Sequence, residues 1–577
     1  MILPETEWLM PTEYPDLRSY PEIAIDLETR DPELKSKGSG SVIGMGEIVG
    51  FAVAVEGYKG YFPIAHEQGP NMDRKKTIEW FRDICESPAT KIFHNAMYDV
   101  CWIRKLGIKI NGLIVDTMIA SSLIDENRFS YTLNTLSWHH LSKGKNEKKL
   151  IEAAKERGLD AKADMWRLPA MEVGAYAEQD AALTLELWHK CKKIIIEDNL
   201  QDIFNLETDL FPCLVDMRFR GVRVDVQKAH TVKQDLALQE ELILLEIKKE
   251  SNLDIQLMAA RSIAKLFDKL GLEYSRTAKS DEPSFTKNFL TNHPHPLVQK
   301  IAQARKINKV RTTFIDSILK YEHCERIHSE INQIRSDDGG TVTGRFSYVN
   351  PNLQQIPSDD RHRSCFTAEP GNKIIVCDYA SQESRILADI SNEPNLVKFY
   401  TTGGADLHSY AAQVVYKELA SVTLEDIKKF HKDKRQVMKG FNFALAYGGT
   451  GETVSRNLNI PIDIAKRAEE DYFKAFSGLK NYFEIAKKKP LSTGYVLIDP
   501  VSKRKSFIDF YDDFLALQEK IDTPGFWDDY RQNKSFETEE YLEYYKPTVR
   551  EYFKMKGIIE RKGLNYVIQG TAASQTK

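Results

Sequence analysis

The sequence predicts a multidomain chain, α/β at its start and α+β beyond, and three observations carry that reading. Residues 22–28, EIAIDLE, alternate apolar and polar as a half-buried strand, and further strand candidates follow with no helix between them. From about residue 207 the pattern changes to long, charged, Leu- and Ile-rich helices such as QDLALQEELILLEIKKE. Past residue 336 short apolar runs return, and from 405 to 490 the chain is helical again. A length of 577 residues gives room for three or four domains at ~150 residues each.

Each element has a local reason. Ile48 to Val55 and the pair Tyr61-Phe62 are strand candidates directly after the first, which predicts an antiparallel meander. Lys91-Ile92-Phe93 is a short strand, Asn95 to Leu106 a helix, and Met171 to Ile196 a long helix. A loop of mixed composition at 275–286 interrupts the helical region. Lys373 to Cys377 reads as a short apolar strand after Gly339-Gly340. Residues 506–550, rich in Tyr, Asp, Glu and Lys, read as an insertion. The expected divisions are 1–200, 201–335, 336–395, 396–560 and 561–577.

Composition excludes several classes. Hydrophobic residues make up 42% and charged residues 28%, which rules out a mostly disordered chain, a collagen-like fibre and a small disulfide scaffold. No run of ~18 uncharged apolar residues is present, so no membrane span is expected. The opening MILPETEWLMPTEYPDL has acids and prolines where a signal peptide has a basic segment, and seven scattered cysteines without a CxxC read as reduced thiols. Both point to the cytoplasm. Net charge is −4, so any basic surface for nucleic acid is local. The basic stretches 142–155, 303–311 and 545–562 are phosphate contacts or solvated faces.

Alternation in the first strand places Ala24, Asp26 and Glu28 on one face and Ile23, Ile25 and Leu27 on the other. Two carboxylates side by side on a central strand repel each other and are costly to desolvate, a cost that a divalent cation removes. A second copy, Asp31-Pro32-Glu33, falls in a loop. Asn95 and Asp99 are four apart, as are Tyr176 and Asp180, so each pair is expected on one helix face. Asp26, Glu28, Asp99 and Asp180 together are oxygen ligands enough for two hard cations. Two such ions would activate a water for phosphodiester hydrolysis, and the Tyr176 hydroxyl would orient it. Taken singly, each acid pair is equally a surface pair. The ordered set DLE, NAMYD and YAEQD resembles the three motifs of the tyrosine-bearing DEDD 3′→5′ proofreading exonucleases, which have a ribonuclease-H-like fold.

A second constellation follows Asp378, which ends the apolar run 373–377. In HKDKRQVMKGFNFALAYGG, the residues Arg435, Lys439, Phe443 and Tyr447 recur every four positions and form one stripe. Two cations followed by two rings suit a nucleoside triphosphate. An amphipathic helix with a basic edge would look the same. With TGRFS, NLQQIP, DLHSY and RKGLNYVIQGTAA, nearly the whole chain resembles the family A DNA polymerases of bacteria and phages.

That resemblance implies a polymerase domain of thumb, palm and fingers after the exonuclease domain, acting on primer–template DNA, single-stranded 3′ ends and dNTPs, with two Mg²⁺ (or Mn²⁺) per active site. It implies thumb over 201–335, palm over 336–395 and 561–577, and fingers over 396–560. It implies that Asp378 and the Tyr379 carbonyl are metal ligands and that Glu383 excludes ribonucleotides. His408, Arg435 and Lys439 are triphosphate ligands by the same likeness, with Lys439 catalytic; Phe443 discriminates against dideoxynucleotides and Tyr447 stacks near the template base. Arg345, Asn352, Gln354, Asn565 and Gln569 are its DNA contacts.

The family's second catalytic aspartate, in a His-Asp-Glu turn about thirty residues beyond QGTAA, has no counterpart, and the palm is therefore expected to be incomplete. Gly570 to Ser574 is expected to begin a short small-residue helix. A fragment, an interrupted gene and a split polymerase with a second polypeptide are the three readings of that gap. The alternative function is an autonomous 3′→5′ exonuclease whose polymerase half only binds DNA.

Overall fold

The computed structural model describes residues 8–577 apart from Ala278, Tyr447 and Asn459; the Ala446 side chain is likewise not described. The first half is built on a five-stranded sheet of order β3-β2-β1-β4-β5. Its strands are β1 (Glu22–Arg30), β2 (Glu47–Val55), β3 (Tyr58–Pro63), β4 (Thr90–Phe93) and β5 (Ile114–Asp116). β1 pairs antiparallel with β2 and parallel with β4, so it lies at the centre of the sheet. β2 and β3 complete the expected meander.

The long helix α3 (Ala170–Glu197) lies across β1, β2 and β3. Its apolar stripe, including Val173, Ala177, Ala181 and Leu187, is buried against the sheet. On β1, Ile23 and Ile25 are buried completely or nearly so, as the alternation requires, while Asp26 and Glu28 are half-buried. Opposite them on the same face stand Ala52 and Gly50 of β2. Small residues there leave space beside the two acids. A Cβ at Gly50 would collide with the Tyr61 ring, so only glycine lets that ring approach.

Helix α1 (Ala96–Lys105) starts one residue later than the pattern suggests, after the short helix-free turn that leaves β4. Asn95 is the N-cap, with φ +67°, and does not share a helix face with Asp99. The turn is held by Asp116, whose carboxylate accepts from Asn95 N at 3.1 Å and Ala96 N at 2.8 Å. Asparagine tolerates the left-handed conformation that this anchor imposes.

Beyond α4 (Gln201–Arg220) the chain is largely helical. Helices α5 (Val226–Ser251) and α6 (Pro296–Lys309) pair around a core containing Ile247, Phe267, Val298 and Ile301. A separate core, with Phe441, Phe476 and Leu479 at its centre, gathers α7 (Gln382–Ser391), α8 (Leu407–Val415), α9 (Lys432–Ala446) and α10 (Ser477–Thr493). A hairpin of β6 (Tyr495–Leu497) and β7 (Lys505–Phe507) follows. The insertion-like stretch folds on its own cluster, Phe514, Ile521, Phe526, Tyr541, Tyr545 and Tyr552. The hairpin reaches back to the first domain. Glu126 there is buried and accepts from Ser506 Oγ at 2.5 Å and Phe507 N at 2.8 Å.

Two expectations about the second half do not hold. Residues 373–377 form no strand: positions 371–380 are all exposed, with Ile375 at 84% and Val376 at 83%. A run that is apolar on both faces becomes a strand only between two neighbours, and no strand among the described residues pairs with it. Gly570 begins no new helix either. It lies within α11 (Lys546–Thr576), a single helix of 31 residues that also runs through the expected boundary at 560/561. Packing against α10 along its length sustains a helix that would be marginal as a short isolated piece.

Candidate active site

Asp26 and Glu28 come from the central strand β1, Asp99 from the first turn of α1, and Tyr176 and Asp180 from adjacent turns of α3. Asp99, Asp180 and Tyr176 are buried. Their proximity shows in their electrostatics. Burial pushes the Asp26 carboxyl up to about 7, with Asp180 adding to the shift. Burial also raises Glu28 well above the usual carboxylate range, followed by repulsion from Asp26 and Asp180. Asp99 is raised by burial and then by Asp26. The Tyr176 phenol is raised by burial, then by Asp180, Glu28 and Asp26. The structure therefore brings all five expected residues into one field of mutually repelling acids.

One cation already answers that field. Lys145 Nζ forms an ion pair with Asp180 Oδ2 and donates to Tyr176 Oη at 3.3 Å. Burial opposes the ammonium charge, but Asp180, then Asp26 and Glu28, outweigh it and hold the lysine above its ordinary pKa. The donor set fits hard divalent cations. It offers oxygen only, and Asp180 Oδ1 is buried with no hydrogen-bond partner. As the side chains stand, no three His, Cys, Asp or Glu among the described residues converge to enclose a metal ion.

The repeated Asp31-Pro32-Glu33 has a structural task. Asp31 accepts from Gly40 N at 3.0 and 3.1 Å and from the Tyr98 hydroxyl at 3.2 Å.

In the second half, Arg435, Lys439 and Phe443 do share one face of α9, and Phe443 is exposed. His408 on α8 faces that stripe: its Nδ1 lies 3.0 Å from Asn442 Nδ2, and its ring is 5.6 Å from Phe443. Burial, then Arg435, holds the His408 pKa below its ordinary value. Arg435 is engaged by Asp406, with Nε and Nη2 donating to its two oxygens at 3.2 and 3.1 Å. Tyr447 lies outside the described residues. Glu383 on α7 forms an ion pair with Arg345. Asn352 caps a single turn by accepting from Gln354 N at 3.0 Å, and Gln354 Nε2 donates to Phe346 O at 3.0 Å. Asn565 and Gln569 lie one turn apart on α11, and Asn565 Oδ1 is buried without a partner. Asp378 and Tyr379 stand on the exposed run 371–380, away from any strand.

Sequence reasoning missed Lys145 and Asp406 as members of these constellations. Lys145 sat within the basic stretch 142–155 with nothing to single it out. Asp406 belongs to DLHSY, but only folding shows that it holds Arg435.

A partly buried oxygen-donor site with a tyrosine, joined to a helical half bearing a cation-and-ring stripe, suits divalent cations and phosphate groups. The comparisons narrow this. Residues 226–577 match the family model described as DNA polymerase family A, and residues 12–196 match one described as 3′-5′ exonuclease. A DNA-directed DNA polymerase of Pseudomonas phage M6 is 30% identical over 492 residues, covering 80% of this chain and 72% of the relative. A DNA polymerase DpoZ of Salmonella phage PMBT28 is 26% identical over 533 residues, covering 84% and 81%. A DNA polymerase I of Chloroflexus aurantiacus is 27% identical over 467 residues, covering 78% and 48%. The fold is similar to the POL domain of Pol1 from M. smegmatis, solved with DNA primer-template and dNTP, at TM-score 0.70 and 20% identity; the match covers 97% of this chain and 84% of that one. The chain belongs to DNA polymerase family A and carries a 3′-5′ exonuclease domain; it is an enzyme, and the family is metal-dependent.

No helix of the described residues is long and apolar enough to cross a membrane.

Proposed function

We propose that residues 1–200 remove mispaired 3′ ends from DNA and that the remainder grips primer–template DNA and selects dNTPs. One observation carries the first part. Asp180, Glu28 and Asp26 act on Tyr176, Asp99 joins them through Asp26, and Asp180 keeps an oxygen unpartnered. Asp26, Glu28, Asp99 and Asp180 would hold two divalent cations, Mg²⁺ or Mn²⁺, which supply charge neutralisation at the phosphate and an acidified water. Tyr176 orients the attacking water through its hydroxyl, whose raised pKa keeps it a donor. The buried walls of the site exclude bulk water and so strengthen each charge within it.

In the polymerase half, Arg435, Lys439 and His408 are read as the triphosphate grip, with Phe443 and Tyr447 beside sugar and base. Glu383 is read as the gate against ribonucleotides. Arg345, Asn352, Gln354, Asn565 and Gln569 are read as contacts to the DNA. For the transfer step Asp378 and the Tyr379 carbonyl are the expected ligands. Asp378 stands on an exposed run outside any strand. We read the protein as cytoplasmic, in a bacterial cell or phage-infected host, a reading that the phage and bacterial relatives support.

The test is one assay on the 577-residue chain with a 5′-labelled primer–template and Mg²⁺, with and without dNTPs. Shortening without dNTPs supports the exonuclease part and its absence overturns it; template-directed extension with dNTPs supports the reading of the remainder, and its absence overturns that.

A further inference from the structure

The exonuclease site already contains a cation belonging to the chain, and the loop that carries it is fastened for the purpose. Residues 142–147 run between α2 (Leu133–Leu141) and the next helix, and they are tied along α3 residue by residue. Lys143 pairs with Glu186. Gly144 O accepts from Gln179 Nε2 at 3.2 Å, and Asn146 N donates to Gln179 Oε1 at 2.7 Å. Lys145 N donates to Asn134 Oδ1 of α2 at 2.9 Å. A Cβ at Gly144 would collide with Trp138 and Asn134, so the loop approaches α2 as closely as glycine allows. Clamped on both sides, the backbone delivers the Lys145 side chain inward, where only 12% of it stays exposed. Its ammonium pairs with Asp180, donates to Tyr176 Oη and lies 5.2 Å from the Tyr176 ring centroid.

We propose that Lys145 is a positioning residue that serves as the resident counter-charge of the exonuclease site, competing with the divalent cation for Asp180 and so setting the cation concentration at which the site becomes active. The inference rests on the exonuclease reading above. A cluster of four acids, two buried and two half-buried, would be strongly self-repelling without a cation. An ammonium on Asp180 relieves part of that repulsion and keeps Tyr176 and Asp180 in place. The same ammonium occupies Asp180 Oδ2 and leaves a metal ion only Oδ1 of that carboxylate, a position beside a like charge that repels it. Cation binding therefore includes the work of seating the ion beside that ammonium or of moving the ammonium away. Removing the charge removes that work.

The experiment is Mn²⁺ binding without DNA, read by the electron paramagnetic resonance of free Mn²⁺, on the full chain and its variants. The sites of interest are those lost in the Asp26→Ala/Glu28→Ala double variant. Lys145→Met is expected to bind Mn²⁺ at those sites at least about fivefold more tightly, the lower bound for losing a unit charge a few ångström away under water-like screening. Lys145→Arg, which keeps the charge, is expected to stay near the wild-type affinity. If Lys145→Met does not fold, Lys145→Gln replaces it, since it keeps a donor for Asp180 and loses only the charge. Unchanged or weaker Mn²⁺ binding in the neutral variant, with wild-type binding still dependent on Asp26 and Glu28, overturns the role of Lys145 and leaves the site intact. Mn²⁺ binding that the double variant does not alter overturns the exonuclease reading itself.

Discussion

The two halves of this polymerase place the carboxylates proposed as metal ligands in opposite settings. In the first, Asp26, Glu28, Asp99 and Asp180 project from elements of a single core, on a sheet crossed by one long helix. Their positions are set by packing before any ligand arrives. In the second, Asp378 sits on a run exposed throughout, and Arg435 is held by Asp406 and Arg345 by Glu383. Glu383 and Arg435 lie on helices of one packed cluster and Asp406 caps a third, while Asp378 and Arg345 stand on exposed chain outside it. A site drawn from one core is built by folding, whereas one that reaches beyond its core is held by ion pairs that a ligand has to break.

The comparison is broken most severely at the acids. Asp26→Ala with Glu28→Ala is expected to lower degradation of single-stranded DNA by about 10³-fold or more, the scale on which charge stabilisation acts in a closed site. DNA binding, measured by fluorescence anisotropy, should persist, and undiminished degradation would sink the assignment. Tyr176→Phe should lower kcat of the same reaction by about 10²-fold, because only the water-orienting hydroxyl is lost; an unchanged kcat would leave the tyrosine a packing residue. In the other half, Arg435→Ala should weaken dNTP binding by about tenfold or more, the worth of a charged hydrogen bond. Equilibrium dialysis with labelled dNTP and primer–template measures it, and equal binding would remove Arg435 from the triphosphate grip.

The contact between the halves makes a pH prediction. Burial raises the Glu126 carboxyl from 4.5 to about 7, so the folded chain binds a proton more readily there than the unfolded one. Its stabilising share is full below pH 4.5 and is lost as pH rises through about 7. Melting curves of Glu126→Gln should fall less over that window than those of the wild type, and parallel curves would refute the buried acid. The smallest effect is expected at the exposed run. Ile375→Lys should change stability by no more than about 0.5 kcal/mol, the usual range at exposed positions. A larger loss in urea unfolding would mean that residues 374–376 are covered by a neighbour after all.

Much of the first half was legible in the sequence because short-range periodicity governs it. Alternation in EIAIDLE located β1 and its acid face, and a four-residue spacing put Tyr176 beside Asp180 on α3. The same rule failed one residue before α1, where Asn95 proved to be a left-handed cap, because Asp116, 21 positions on, anchors that turn. It failed again at 373–377, since a strand exists only by virtue of its partners, and at Gly570, where packing against α10 carries α11 through. Motif order was enough to indicate the family.

What the sequence determined by itself was therefore the inventory: which elements carry acids, cations and rings, and on which faces. Tertiary structure alone decided which charges meet. Lys145 finds Asp180 across 35 positions, Arg435 finds Asp406 across 29, and Glu126 finds Ser506 across 380. Coulomb energy depends on separation in space and on burial, and neither follows from distance along the chain.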